Sequence, residues 1–304
     1  MTTELAPIER APSLIDFAPG AIYPDVPHEA YHARTLGVVS KGALDRIAKT
    51  PAHYRAWVDG AESAETPALA FGRALHARIL EPEVFARTYI AEQRHPFRRV
   101  TEAQRNAKKP SDETLRAIEY WDAWEIEAAG KIEISAEDAA KVEAIRDAVM
   151  LHPVAGALFV GGMAEATAVW IDPATGLLCK SRMDYWRPDV GVIGDLKTTE
   201  DASPAGFSRS VAKYRYAVQD AHYAAGAKAA GHDRPAFLFV AVEKEPPYAV
   251  AVYQLDREAI ARGEELRARD MGLLYDCLQL DTWPSYAPVV STLSLPAWAL
   301  KDAA

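Results

Sequence analysis

The spacing of apolar positions changes along the chain, and the change separates helical from stranded segments. Apolar residues recur at helical spacing through much of residues 40–150, beginning behind the capping residue Ser40. From Ala164 onward they alternate, which is typical of strands. The predicted helices are 41–48, 67–79, 113–129, 136–150, 207–231 and 257–278, and the predicted strands are 164–172, 177–186, 190–198, 236–243 and 248–255. This order predicts an α/β sheet behind a helical N-terminal section.

Three stretches lack such a period and suggest the limits of a domain. Residues 1–20 contain Pro7, Pro12 and Pro19 and are predicted to form a flexible arm. Residues 91–113 are basic and polar, which favours a mobile loop, and residues 291–304 form an irregular tail. We therefore expect one domain over residues 21–290.

Composition narrows the function classes without choosing one. Of the 304 residues, 49% are hydrophobic and 25% are charged, which is ordinary for a globular protein. There is no long apolar run and no signal-peptide layout at the N-terminus, so we expect a cytoplasmic protein without a membrane partner. Cys179 and Cys277 are too few for a disulfide framework or a four-cysteine cluster. The net charge of −9 argues against non-specific coating of nucleic acid, but it leaves a metal-dependent nuclease open.

The most informative feature is a pair of acids on neighbouring predicted strands. Asp184 is followed eleven residues later by Asp195, Leu196 and Lys197. Side chains alternate along a strand, so Asp195 and Lys197 share one face while Leu196 points into the core. Two adjacent carboxylates repel each other unless a cation lies between them, and hard oxygen ligands suit Mg²⁺ or Mn²⁺. With a lysine beside the metal, the pattern suggests phosphodiester hydrolysis, although paired aspartates are more often ordinary turn-flanking acids.

Further residues could belong to the same site, each with a plainer alternative. His76 lies on an apolar helix, where a lone histidine is usually a core or capping residue. Glu165 begins a strand and is either an edge charge or a further acid near the metal. Gln219 and Tyr223 are four apart on one helix face, which fits a polar flank or a pair that supports the site.

Three basic residues are candidates for contacts with DNA. Lys213 and Arg215 alternate with Tyr214 and Tyr216, and basic residues interleaved with aromatics suit phosphate contacts and base stacking. Arg182 shares a strand face with the first acid and could pair with either an acid or a phosphate. Ion pairing is the plainer interpretation for Arg182.

Taken in order, these residues resemble a known set of motifs. The set comprises Gly72-Arg73-Ala74-Leu75-His76, Asp184, Asp195-Leu196-Lys197 and Gln219-x-x-x-Tyr223. It is similar to the RecB-like branch of the PD-(D/E)XK nuclease superfamily, and more narrowly to RecE-type (exodeoxyribonuclease VIII-like) exonucleases of phage recombination systems. Each motif is weak alone, whereas the ordered set is specific. The resemblance implies a restriction-endonuclease-like core with a central mixed sheet flanked by helices.

The resemblance also implies roles for individual residues. The implied ligands of Mg²⁺, for which Mn²⁺ could substitute, are His76, Asp184, Asp195 and the backbone carbonyl of Leu196, with Glu165 as an additional acid. Lys197 would position and activate the attacking water. Gln219 and Tyr223 would support the site and the DNA strand.

The expected activity is degradation of linear double-stranded DNA from its ends, 5′ to 3′, to give 3′ single-stranded tails for recombination. The resemblance implies a single-strand annealing recombinase as partner and a ring-shaped homo-oligomer, which in similar enzymes is usually a tetramer. Two alternatives stay open. One is a structure- or site-specific endonuclease of the same superfamily, and the other is a catalytically inactive DNA-binding module.

Overall fold

A central six-stranded sheet organises the protein, as seen in a computed structural model that describes residues 13–61, 66–92 and 95–295. The strands are β1 (Ala21–Tyr23), β2 (Tyr89–Ala91), β3 (Ile132–Ile134), β4 (Met163–Ile171), β5 (Leu178–Arg187), β6 (Val192–Thr199), β7 (Ala236–Glu243) and β8 (Val250–Tyr253). The central sheet has the order β1-β4-β5-β6-β7-β8, and only the β6–β7 pair is parallel. The predicted mixed α/β fold is confirmed.

Helices cover both faces of this sheet. They are α1 (His28–His32), α2 (Lys41–Lys49), α3 (Pro51–Val58), α4 (Pro67–Leu80), α5 (Pro82–Thr88), α6 (Glu102–Arg105), α7 (Asp112–Ala128), α8 (Ala136–Leu151), α9 (Pro153–Leu158), α10 (Pro204–Lys213), α11 (Tyr216–Ala229) and α12 (Arg257–Leu280). One core cluster joins α2, α11 and α12 to the sheet, and a second joins α4, α8 and α9. Among the described residues, no helix is long and apolar enough to cross a membrane.

A tight turn fixes the register of β4 and β5. Asp172 Oδ1 accepts hydrogen bonds from the backbone N–H groups of Ala174 and Thr175, and Gly176 adopts a φ of +71° that glycine tolerates well. The resulting register pairs Ala164 with Tyr185 and Ala166 with Met183. Glu165 of β4 therefore lies opposite Asp184 of β5.

The strands β5 and β6 stay paired over only a short distance. Their register runs from Arg187–Val192 to Tyr185–Gly194, whereas β6 pairs with β7 along its whole length. Beyond Gly194 the two strands no longer form a ladder. Asp184 and Asp195 lie at this separation, so an acidic group emerges from each side of a gap in the sheet.

The helix predicted over 207–231 is wrong, because the structure contains two helices there. α10 ends at Lys213 and α11 begins at Tyr216, with Arg215 in the left-handed conformation at φ +54°. The guanidinium of Arg215 donates to the Leu44 carbonyl, to Asp45 and to the buried Asp270. These contacts hold Arg215 in a conformation that is unfavourable for a residue with a Cβ atom, and they break the helix.

Two segments predicted to be irregular contain ordered elements. Residues 1–12 lie outside the described residues, but Leu14–Asp16 forms a short 3-10 helix with Leu14 buried, and the following residues lead into β1. The predicted basic loop 91–113 contains α6 and the first residues of α7. Ion pairs join Arg99 to Glu125 and Arg105 to Asp122. Ordering of this segment depends on partners within α7, which local composition does not reveal.

Candidate active site

The strand β6 presents Asp195 and Lys197 on one face and Leu196 on the other, as alternation predicted. Leu196 is fully buried in the cluster with α4 and α8. On the opposite face Lys197 Nζ lies 2.5 Å from Asp195 Oδ2. The carboxylate of Asp195 is inaccessible to solvent, so this ion pair and a second donor are needed to offset its lost hydration.

The second donor comes from α11. Gln219 Nε2 donates to Asp195 Oδ1 over 2.5 Å. Tyr223 lies one turn further along the same helix, and it is buried close enough to Asp195, Asp184 and Glu165 for their charges to raise the pKa of its hydroxyl further, beyond the larger effect of burial. The structure therefore brings the predicted Gln219 and Tyr223 pair against the acids.

The side chain of Asp184 accepts a hydrogen bond from the backbone of β6 at the point where β5 and β6 separate. Its Oδ2 accepts a hydrogen bond from the Leu196 N–H over 2.8 Å. The same oxygen lies 3.6 Å from His76 Nδ1, which projects from α4. His76, Asp184 and the Leu196 backbone thus meet at the gap in the sheet.

Glu165 joins this group from the facing strand. Ligand atoms of His76, Glu165 and Asp184 all lie within 4.8 Å of one another. Glu165 has a φ of +51°, a conformation that costs free energy for a non-glycine residue and is often found at functional sites. Its carboxylate lies 4.0 Å from Arg182.

The acids have raised pKa values because they are buried beside one another. Burial, followed by the charges of Asp184 and Glu81, raises the pKa of Glu165 to about 8. Burial raises the pKa of Asp195 to about 6, although Lys197 acts in the opposite direction. Burial also raises the pKa of Asp184. Such a group of carboxyls costs free energy when ionised unless further positive charge is supplied.

The two basic members of the site shift in opposite directions. Burial and the charge of Lys197 lower the pKa of His76 to about 4, so its imidazole is in the neutral form that a metal ligand requires. Burial alone would lower the pKa of Lys197, but Asp195 and Asp184 outweigh it and raise that pKa above its usual value. Lys197 is therefore an ammonium group that can donate hydrogen bonds.

This donor set fits a divalent cation. One imidazole nitrogen and two carboxylates converge on one point, and Asp195 lies close enough to alter the pKa of Glu165 and His76. A cation there would offset the repulsion that raises the carboxyl pKa values. The carboxylate oxygens of this set are the ligands that suit Mg²⁺ and Mn²⁺.

The predicted DNA-contacting residues lie in three different settings. Arg182 is 9% exposed, and it donates to Thr167 Oγ1 and to the Val26 carbonyl, so it is held within the protein beside Glu165. Arg215 is held by Asp45 and Asp270. Lys213 is exposed, with Nζ 5.1 Å from the ring centroid of Tyr214.

Other residues at the site were not assigned from the sequence. Glu81, at the end of α4, and Tyr31, on α1, affect the electrostatics of Glu165 or are affected by it. Tyr216 lies beneath Lys197, whose Nζ is 5.1 Å from the ring centroid. The interleaved basic and aromatic residues at 213–216 were a signal for Tyr216, whereas Glu81 and Tyr31 carry no motif.

A family model described as a PDDEXK-like domain of unknown function (DUF3799) matches residues 40–293. The chain belongs to this family. The match includes every residue placed in the acidic cluster above, and it agrees with the nuclease-like PDDEXK fold expected from the motif order. No curated protein matches the chain significantly.

One solved structure supports the same fold for this PDDEXK-like chain. A "putative exonuclease" from Eubacterium rectale has a TM-score of 0.54 and 13% identity, over 91% of this chain and 98% of that one. A phage-related exonuclease from Haemophilus somnus 129PT has 12% identity over 60% of this chain and 90% of its own, with a TM-score of only 0.32. At 13% identity the similarity to the Eubacterium rectale protein is one of fold.

Proposed function

We propose that the protein is a divalent-metal-dependent deoxyribonuclease that degrades linear double-stranded DNA from its ends. The observation that carries the proposal is the convergence of His76, Glu165 and Asp184 within 4.8 Å at the gap between β5 and β6, next to the Asp195–Lys197 pair. Family membership supports the proposal, because PDDEXK is the name of a motif that characterises a nuclease core.

His76, Glu165, Asp184 and Asp195 would hold the cation, which we propose to be Mg²⁺ with Mn²⁺ as a substitute, and the Leu196 carbonyl would complete the set. When bound, such a cation lowers the pKa of water and offsets charge that develops on a phosphate. Asp195 is fully buried, and the hydrogen bond from Gln219 on α11 fixes the orientation of its carboxylate.

Lys197 would orient the attacking water and stabilise negative charge on the phosphate as a hydrogen-bond donor. Its ammonium is fixed by Asp195 and rests over the Tyr216 ring, so little reorganisation is needed during the reaction. Gln219 and Tyr223 would act as positioning residues, because they contact or adjoin the acids from the buried side.

The finer parts of the proposal rest on the resemblance to RecE-type exonucleases. They are 5′-to-3′ polarity, production of 3′ tails for strand-annealing recombination in the cytoplasm, and a ring-shaped homo-oligomer. A ring would explain how a chain with a net charge of −9 remains on DNA, because encirclement replaces broad electrostatic attraction.

A comparison of DNA forms tests the proposal. Linear duplex, covalently closed circular duplex and duplexes with one blocked end are incubated with the protein in Mg²⁺, in Mn²⁺ or in EDTA. We expect mononucleotide release from the linear form in Mg²⁺ or Mn²⁺ but not in EDTA, with the circle intact and the 5′ block protective. Cleavage of the closed circle would support the endonuclease alternative, and absence of cleavage in both Mg²⁺ and Mn²⁺ would contradict the proposal.

A further inference from the structure

A polar cleft opens immediately beyond Lys197 along the chain. It has a volume of about 380 Å³ and is bounded by the last two residues of β6 and the two that follow (198–201), by α10 and by Lys244 after β7. Tyr214 and Tyr216 line it on the side nearest the acids. The chain therefore passes directly from the proposed catalytic lysine into the wall of this cleft.

Three aromatic rings lead from the core of the sheet to the surface of the cleft. Tyr216 stacks on the buried Phe239 at 5.6 Å and 23°, and Tyr214 stacks on Tyr216 at 5.7 Å and 26°. Lys197 lies over the middle ring. Tyr214 is 48% exposed, so the outermost ring is supported from below and open to solvent.

The break between α10 and α11 creates this arrangement. Because Arg215 is turned inward towards Asp45 and Asp270, the tyrosines on either side of it lie next to each other. In a continuous helix, residues 214 and 216 would face in different directions. The unfavourable backbone at Arg215 thus positions an exposed ring next to Tyr216, whose own ring lies 5.1 Å from Lys197 Nζ.

Basic groups outnumber acidic ones around the cleft. Arg209, Lys213 and Lys244 line it, against Glu200 and Asp201. Within the described part of the chain, Lys213 and Lys244 have no ion pair, and Arg209 is 72% exposed with only a 3.3 Å contact to Asp201. Pairs of this kind contribute little and leave the guanidinium available to another anion.

We propose that this cleft binds the unpaired nucleotides of a DNA end next to the phosphate that is cleaved, with a base stacked on Tyr214 and the backbone held by Lys213. This inference rests on the proposed nuclease function and specifies the form of its substrate. A supported, exposed aromatic ring beside unpaired cations is the combination that binds single strands, since every base has a face that can stack. Inside a duplex those faces are covered by neighbouring base pairs, so only a separated strand can use the ring.

Binding is tested in EDTA, so that cleavage does not interfere. Fluorescence anisotropy measures the affinity of the protein for single-stranded oligodeoxynucleotides and for a blunt duplex of the same sequence. The oligodeoxynucleotides are about ten bases long, which is within the size range of known single-strand binding sites. We expect tighter binding of the single strand. Tyr214→Ala should weaken it about tenfold without changing its salt dependence, whereas Tyr214→Phe should keep the affinity. Tyr275→Ala, an exposed tyrosine on α12, is the matched control.

Lys213 gives an independent readout. Lys213→Gln should lower the slope of log K against log salt by about 0.7, as expected when one contact with a single-strand phosphate is lost. Lys228→Gln, an exposed lysine on α11, should leave the slope unchanged. A terminal 2-aminopurine should be quenched by the wild type and by Tyr214→Phe, but not by Tyr214→Ala.

The outcomes separate this inference from the proposed function. Unchanged single-strand binding and quenching in Tyr214→Ala would overturn the cleft assignment, even if the protein degrades DNA. Equal binding of blunt duplex would also overturn it, as would no measurable binding by the wild type. Conversely, Tyr214-dependent binding without any cleavage in Mg²⁺ or Mn²⁺ would support the cleft and contradict the nuclease proposal.

Discussion

Gln219 on α11 donates its side-chain amide to Oδ1 of Asp195 on β6, over 2.5 Å. This contact connects the helix behind the sheet to the acid at the gap between β5 and β6. Lys197 occupies the other oxygen, so Asp195 is held from two sides although it is inaccessible to solvent. An acid held in this way has a fixed orientation, which is a requirement for a ligand or a catalytic group.

Replacing the amide should weaken the metal site without removing a proposed ligand. We expect Gln219→Ala to bind Mn²⁺ about 10–100-fold more weakly, the usual effect of losing a partner that orients a ligand. Isothermal titration calorimetry measures the affinity, and Gln279→Ala, an exposed residue on α12, is the control. A folded Gln219→Ala protein with wild-type Mn²⁺ affinity would show that the contact does not orient the site.

Breaking the contacts of Arg215 should destabilise the fold. Asp270 is fully buried, and Arg215→Ala removes a main partner of its charge. We expect a loss of about 3 kcal/mol, the lower end of the range for a broken buried pair, because Arg269 also reaches Asp270 at 2.7 Å. Urea unfolding measures this loss.

The matched control is the exposed pair of Arg262 and Glu265 on α12, whose side chains are about two-thirds exposed. Arg262→Ala should cost no more than about 1 kcal/mol. Equal losses in the two variants would mean that Arg215 does not neutralise a buried charge, and that another cause breaks the helix between α10 and α11.

Glu165 should give the metal-free protein a distinctive dependence on pH. Its folded pKa of about 8 is raised above the ordinary value of 4.5, so the native state binds more protons than the unfolded state between these values. The free energy of unfolding therefore falls as pH rises through this window and is lowest above pH 8. The lowered pKa of His76 acts in the opposite direction, but only between about 4 and 6.5.

Between pH 6.5 and 8 the comparison of the wild type with Glu165→Gln separates the glutamate from Asp195 and Asp220, whose pKa values burial raises to about 6, and from Lys180, whose pKa burial lowers to about 8. In EDTA, urea unfolding of the wild type should show stability decreasing across this interval, and Glu165→Gln should remove most of the decrease. Glu133→Gln, an exposed glutamate on β3, should retain it. If Glu165→Gln keeps the full slope, the carboxyl does not titrate in this range.

Local sequence pattern was sufficient to predict the arrangement of β5 and β6, which carry the acids, and insufficient for the features that surround these strands. The alternation around Leu196 predicted that Asp195 and Lys197 share a face, and the structure places their charged atoms 2.5 Å apart. The spacing of Gln219 and Tyr223 predicted one helix face, and both adjoin the acids. These relationships depend on the fixed periods of strands and helices, so sequence alone determines them.

Features that depend on distant partners could not be predicted in the same way. Arg215 breaks a helix because of Asp270 and Asp45, which are 55 and 170 residues away along the chain. Glu165 faces Asp184 only because the turn at Asp172 fixes the register of β4 and β5. Both features combine an unfavourable backbone angle with compensation from elsewhere in the fold, and neither has a local signature.

The most direct test of the central claim is the rate at which linear duplex DNA is degraded in Mg²⁺ by the wild type, by Lys197→Ala and by the control Lys49→Ala, an exposed lysine on α2. Circular dichroism would establish that all three proteins are folded. We expect Lys49→Ala to match the wild type and Lys197→Ala to be slower by at least about 100-fold, the usual cost of losing one donor that stabilises transition-state charge. Undiminished degradation by folded Lys197→Ala would contradict the assignment of the active site.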